Sequence, residues 1–293
     1  MYYINVKNSK KKHYLTDLCS QVRRDILRMV YYANSGHIGG SLGCTEYLVA
    51  LYQEIMFFDP KKFTMSGHNE DLFFLSNGHI SPVYYSVLAR TGFFSIQELS
   101  TFRKLNSRLQ GHPSSHDGLP GIRISSGSLG QGMSVSIGAA LSKKLDKQDN
   151  KLIYSLHGDG ELNEGQMWES ILYAGSKKID NYIATIDYNG QQIDGTTDDV
   201  LPLGDLKKKF QSFDWIVLEE YEGNNIEKVI NILKQAKDET KKKFPILIIL
   251  HTQMGYGVDF MVGNNIWHGK PVNKEELNKA LNQIPETLGD YPI

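Results

Sequence analysis

Between residues 152 and 250 short apolar runs alternate with helical stretches, and this alternation limits the fold more than any other feature. Residues 152–156, 182–186 and 246–250 read as strands, and 164–177 and 226–237 read as helices. Strands this apolar, joined by helical crossovers, predict a mainly parallel sheet buried on both faces, in an α/β fold with three layers, α/β/α. Upstream, helical spacing runs from Asp17 to Ala33 after a polar lead-in, with Thr16 as its N-cap. Further helices are expected over Thr45–Phe57 and Ser81–Thr91, and another ends near Leu145. There is no repeat or low-complexity segment, so one domain over 1–293 is expected, with the lysine runs 207–209 and 241–243 as solvated helix surface.

The first strand of the alternating region ends in Gly158-Asp159-Gly160. A Gly-rich turn between strand and helix suits a phosphate, which the helix N-terminus and free backbone N–H groups attract. An aspartate there would repel it, unless a divalent cation lies between carboxylate and phosphates. The unit from this turn to Asp187-Tyr188-Asn189 reads as a right-handed βαβ crossover, which returns both strand ends to one sheet edge. Asp159 and Asn189 are therefore expected to converge, as oxygen donors suited to Mg²⁺ or Ca²⁺.

Bulk composition excludes several partner classes. A net charge of −1 leaves no electrostatic footprint for nucleic acid or an anionic membrane surface. Cys19 and Cys44 lack the spacing of a zinc or redox pair and read as buried inert thiols. No apolar h-region follows the basic N-terminus and no run of about eighteen apolar residues occurs, so a cytoplasmic location is expected.

Four histidines, His37, His79, His112 and His268, sit beside glycine or proline. One alone would ordinarily be structural. Four together suit proton transfer to and from oxygen near neutral pH, for which the imidazole pKa is matched. His13, His68, His116, His157 and His251 read as structural, with His157 a candidate for support behind the metal turn.

The segment GDGELNEGQMWESILYAGSKKIDNYIATIDYNGQQIDG closely resembles the thiamine-diphosphate motif of the transketolase family. The blocks ANSGHIGGSLG (33–43), LSNGHISPVYYSVLARTG (75–92), GHP (111–113), SSGSLGQG (125–132) and WHGKP (267–271) resemble that family in the same order. The resemblance covers about residues 15–272 and implies a thiamine-diphosphate-binding fold. It implies that Asp159 and Asn189 bind the metal by side chain and Gln191 by its carbonyl. It places Gly158 and Gly160 in the diphosphate turn, with the Gly160 amide on a diphosphate oxygen and His79 nearby. Gly127 and Leu129 become backbone contacts to the aminopyrimidine, Ile193 packs beside the thiazolium, and Glu164 is a subunit-interface acid near the cofactor. His37 and His268 become proton-transfer residues, His268 also bordering the cofactor, and His112 hydrogen-bonds the substrate.

The same resemblance implies transfer of a two-carbon ketol unit from a ketose or its phosphate to an aldose, through a cofactor-bound carbanion. The family's activating glutamate lies on a pyrimidine-binding domain for which no room remains after residue 272. The expectation is thus an N-terminal subunit, inactive alone, whose C-terminal partner subunit carries that domain, in a heterotetramer of two chains of each kind. The alternatives are the diphosphate-binding subunit of an acyloin-forming carboligase or of a 2-oxoacid dehydrogenase, and a noncatalytic cofactor-binding subunit. Two departures from the family pattern, Ile38 after Ser-Gly-His and residues 252–257 (TQMGYG), leave the choice of sugar open.

Overall fold

The computed structural model describes residues 8–146 and 149–293. Residues 1–7, on which part of the reading of the N-terminus falls, lie outside the described residues. The strands are β1 (Leu72–Leu75), β2 (Ile153–Gly158), β3 (Tyr182–Tyr188), β4 (Gln191–Gln192), β5 (Gly195–Thr196), β6 (Ile216–Glu220) and β7 (Ile246–His251). Five form one all-parallel sheet in the order β1-β2-β3-β7-β6, while β4 and β5 make a small antiparallel ribbon. The helices are α1 (Asn8–Ala33), α2 (Ile38–Gly43), α3 (Thr45–Ala50), α4 (Ser81–Thr91), α5 (Gln131–Leu145), α6 (Gly165–Ser176), α7 (Thr197–Val200), α8 (Leu206–Ser212), α9 (Ile226–Glu239) and α10 (Lys274–Gln283).

The layers follow from the two-residue period of the strands. Phe73, Leu75, Tyr154, Leu156, Ile246, Ile248 and Leu250 join a core with α1, α3, α4 and α9. Their neighbours Leu72, Phe74, Ile153, Leu247 and Ile249 point the other way, into a core with α5, α6 and α8. Because both faces are covered, β7 is apolar at successive positions, each fully buried side chain contributing about 1.5–3 kcal/mol. β6 differs. It is an edge strand, half-buried at every position, and its Glu219 pairs with His251 on β7 at 2.9 Å. Both cysteines are buried and unpaired, as expected.

Several expectations need correction. Thr16 is not a cap: α1 already includes it, and its hydroxyl donates to the Lys12 carbonyl one turn back at 3.2 Å. The helix expected over Thr45–Phe57 is α3 followed by a π-helical turn, Leu51–Ile55. β1 and β6 did not stand out in the sequence. Lys207–Lys209 lie in α8, but Lys241–Lys243 lie in the turn after α9, with Lys241 and Lys243 at φ 63° and 107°.

Candidate active site at the carboxyl ends of the strands

β2 and β3 end side by side, with Gly158 opposite Asp187. Asp159, only 2 % exposed, accepts hydrogen bonds from the Gly160 amide at 2.7 Å and the Gly190 amide at 2.6 Å. The second bond ties the Gly-Asp-Gly turn to the loop after β3, so Asp159 and Asn189 converge as the crossover argument required. Gly190, at φ 72°, makes that loop tight enough. Asn189 donates to Asp187 Oδ2 at 2.8 Å, and its Oδ1 accepts from the Gln191 amide at 2.9 Å. Asp187 also accepts from the Thr252 hydroxyl, so Asn189 is oriented by a buried acid that sequence reasoning missed.

Burial and the neighbouring Asp187 push the Asp159 carboxyl up to about 7, against the backbone bonds from Gly190 and Gly160. Burial also raises Asp187, against hydrogen bonds from Thr252, Cys44 and Asn189. Two buried acids with raised pKa values beside amide and carbonyl oxygens are the donor set of a hard divalent cation, whose charge would hold them ionised. The residues present therefore fit such a cation.

Glu161, two positions after Asp159, was also missed, although an acid in a turn built for phosphate was the available signal. It is buried and accepts from the Ser76 hydroxyl, the Gly130 amide at 2.8 Å and the Gly158 amide at 3.2 Å. His157 Nδ1 lies 3.5 Å from it, while Nε2 is 2.7 Å from the Ser155 hydroxyl. Burial would raise Glu161, but its bonds from His157, Ser76 and Gly130 hold it below the usual carboxylate range. One carboxylate thus joins the end of β1, the Gly-rich loop before α5 and the metal turn.

The Gly-rich loop comes close to the other segments. Gly127 is at φ 142°, and a Cβ there would meet the His112 ring at 2.9 Å. A Cβ on Gly78 would meet the Gly127 amide nitrogen at 3.0 Å. Leu129 is half-buried in the same loop. Glu164 is exposed at the N-cap of α6, its Cβ 2.9 Å from where Gly130 would carry one. Ile193, 65 % exposed, sits at the tip of the β4–β5 ribbon, and the neighbouring Gln192 side chain packs on Gly160.

The four singled-out histidines come together from positions 37, 79, 112 and 268. The His37 ring centre lies 5.0 Å from that of His79, 6.2 Å from His112 and 5.5 Å from His268, and His79 lies 5.2 Å from His268. Burial, then His268, His112 and Arg103, lower His37 to about 4. Burial and the other three histidines take His79 well below its usual value, burial and Arg103 lower His112, and burial lowers His268. All four are neutral at pH 7. Of the buried polar atoms, His37 Nδ1, Asn77 Oδ1, Ser126 Oγ and Gln192 Nε2 lack a hydrogen-bond partner among the described residues. Unsatisfied groups on several converging segments mark a place where a polar ligand completes the bonding.

Residues 16–286 match the family model described as transketolase, thiamine diphosphate binding domain. One of the two subunits of the apulose-4-phosphate transketolase of Phocaeicola vulgatus is 38 % identical over 266 residues, covering 91 % of this chain and 92 % of that protein. A 6-deoxy-6-sulfo-D-fructose transketolase subunit of a Clostridium species is 36 % identical over 263 residues, covering 90 % and 93 %. The crystal structure of transketolase from Campylobacter jejuni superposes with a TM-score of 0.85 at 32 % identity, over 93 % of this chain but 43 % of the longer protein. With the family match spanning nearly all of a sheet whose strand ends carry these groups, the chain belongs to the transketolase thiamine diphosphate binding domain family.

Proposed function

We propose that this chain is the N-terminal, diphosphate-binding subunit of a two-chain transketolase, acting in carbohydrate metabolism by moving a two-carbon ketol unit from a ketose to an aldose. The observation that carries the reading is the cluster of four neutral imidazoles adjoining a Gly-rich loop that Glu161 ties to the Asp159 turn. Asp159, Asn189 and the Gln191 carbonyl hold Mg²⁺ or Ca²⁺, and Gly158, Gly160 and His79 border the diphosphate. The Gly127 and Leu129 backbone lines the aminopyrimidine, and Ile193 covers the thiazolium. Thiamine diphosphate, when bound, supplies the electron sink for cleavage of the carbon–carbon bond beside the carbonyl. His37 and His268 take up and return protons at the substrate oxygens, and His112 hydrogen-bonds a hydroxyl. Being neutral, each imidazole can accept as well as donate.

The unit 1–293 is the diphosphate-binding domain alone. A partner chain bearing the pyrimidine-binding domain supplies the activating glutamate, two copies of each chain form the enzyme, and Glu164 faces the subunit boundary. The relatives named as transketolase subunits, and the 43 % share of the Campylobacter jejuni chain, support this division. No helix among the described residues is long and apolar enough to cross a membrane, in keeping with work in the cytoplasm. The relatives' names carry phosphate and sulfo groups, so phosphorylated and sulfonated sugars are the first substrates to try.

The test is ketol transfer from hydroxypyruvate to an aldose, with thiamine diphosphate and Mg²⁺, using this chain alone and mixed with a candidate pyrimidine-domain chain. Turnover only in the mixture is the expected result. Turnover by this chain alone overturns the two-chain reading, and silence across a panel of donors in a complex that demonstrably forms overturns the ketol-transfer reading.

A further inference from the structure

Arg103 stands apart from the other arginines. Arg23, Arg24, Arg28, Arg90, Arg108 and Arg123 each pair with a carboxylate within 4 Å. Arg103 has no such partner among the described residues, although it is half-buried and its Nε is buried without a hydrogen-bond acceptor. An uncompensated guanidinium is costly to bury, so this placement needs a cause.

Its contacts supply one. Nη1 donates to the Ser35 hydroxyl at 2.8 Å, two residues before His37. Nη2 reaches toward the Gly111 carbonyl, the residue before His112, at 3.5 Å. The guanidinium packs so closely on Gly111 that a Cβ there would lie 2.6 Å from Cζ. The ring of Phe102 lies under it at 5.5 Å and also bounds Gly36, where a Cβ would meet that ring at 3.4 Å. Arg103 itself is held in the left-handed region at φ 57°, its amide donating to the Leu109 carbonyl at 2.8 Å. A bulky residue rarely adopts that conformation unless its surroundings impose it.

We infer that Arg103 is a positioning residue for the histidine cluster, clasping the turns that carry His37 and His112 and setting an uncompensated positive charge against both imidazoles. The inference rests on the reading of these histidines as the proton-transfer group. The groups that act on His37 are His79, His112 and His268, from three other segments, and Arg103; no carboxylate is among them. In that setting the charge of Arg103 opposes protonation of its neighbours, while its fork fixes the spacing of the two turns. Lysine would keep the charge but lose the two-point clasp.

The test is an NMR titration of the imidazole nitrogens in the full chain without cofactor, comparing the parent with Arg103→Met and Arg103→Lys. In Arg103→Met the ratio of protonated to neutral His37 at a fixed pH near 5 should rise about threefold, with His112 moving the same way. Arg103→Lys should stay close to the parent. Parent-like midpoints in a folded Arg103→Met chain overturn the inference, as does a rise in Arg103→Lys equal to that in Arg103→Met. If Arg103→Met fails to fold, Arg103→Gln, uncharged but still able to donate to Ser35, must show the same rise. Because the titration needs no turnover, a null shift in an active enzyme removes only the role of Arg103. A clear shift in a chain that supports no ketol transfer with any partner removes the reading of the cluster instead.

Discussion

Asp159 and Glu161 are two residues apart and do opposite things with a carboxylate. Asp159 is held near neutrality by burial and Asp187, poised to ionise when a cation arrives, whereas Glu161 is kept ionised by its donors. Asp159→Asn should weaken Mg²⁺-dependent binding of thiamine diphosphate at least about tenfold by calorimetry on the assembled enzyme. Glu161→Gln puts an NH₂ against groups that are all donors, and should lower cofactor affinity about 10- to 100-fold while the circular dichroism spectrum stays unchanged. The histidines give a pH prediction. Their native pKa values lie below the unfolded ones, so between about pH 6.5 and 4 the unfolded chain binds more protons than the native chain. Stability therefore falls as pH drops through that window, and His37→Gln should flatten the fall when thermal midpoints are followed from pH 7 to 4. Sequence reading reached the histidines and Asp159 through their glycine neighbours, which mark loops. It did not reach Glu161, Asp187 or Arg103, because what distinguishes them is the number of donors or the lack of an acid around them in space.

At the scale of elements, the strands that were legible are those covered on both faces, where burial forces an unbroken apolar run such as residues 246–250. β1 is only four residues long, and β6 turns polar after three residues because it lies at an edge, so neither carries enough pattern. The helices failed at their ends for a similar reason: α1 extends back to Asn8 through polar residues that no apolar stripe marks. Where helices meet the sheet, backbone proximity decides. A Cβ on Gly175, near the end of α6, would lie 1.7 Å from the Phe213 carbonyl oxygen, beside Trp215, whose indole donates to Ile171 at 2.9 Å. Gly175→Ala should therefore lower the unfolding free energy by about 3 kcal/mol in a denaturant titration, since α6 must shift away from the turn before β6. A loss below about 0.5 kcal/mol would show that this turn yields freely.

For the whole molecule, the placement of the site at the carboxyl edge follows from the all-parallel sheet, in which each crossover returns the chain to the same end. The fold was thus readable from alternation alone, while assembly was suggested by family resemblance and not by any pattern in this chain. If the two-chain reading holds, light scattering of the mixture should give the mass of two chains of each kind, and Glu164→Ala should alter the mass or the cooperativity of cofactor binding. A polypeptide that waits for its partner must also survive alone, and here the half-buried β6 matters. An open sheet edge is a template on which another chain can add a strand. Glu219 and Glu220 stand on this edge, with Glu219 paired to His251 and Lys207. Such a charged margin disfavours strand addition, keeping the unassembled chain from recruiting its own copies into aggregates.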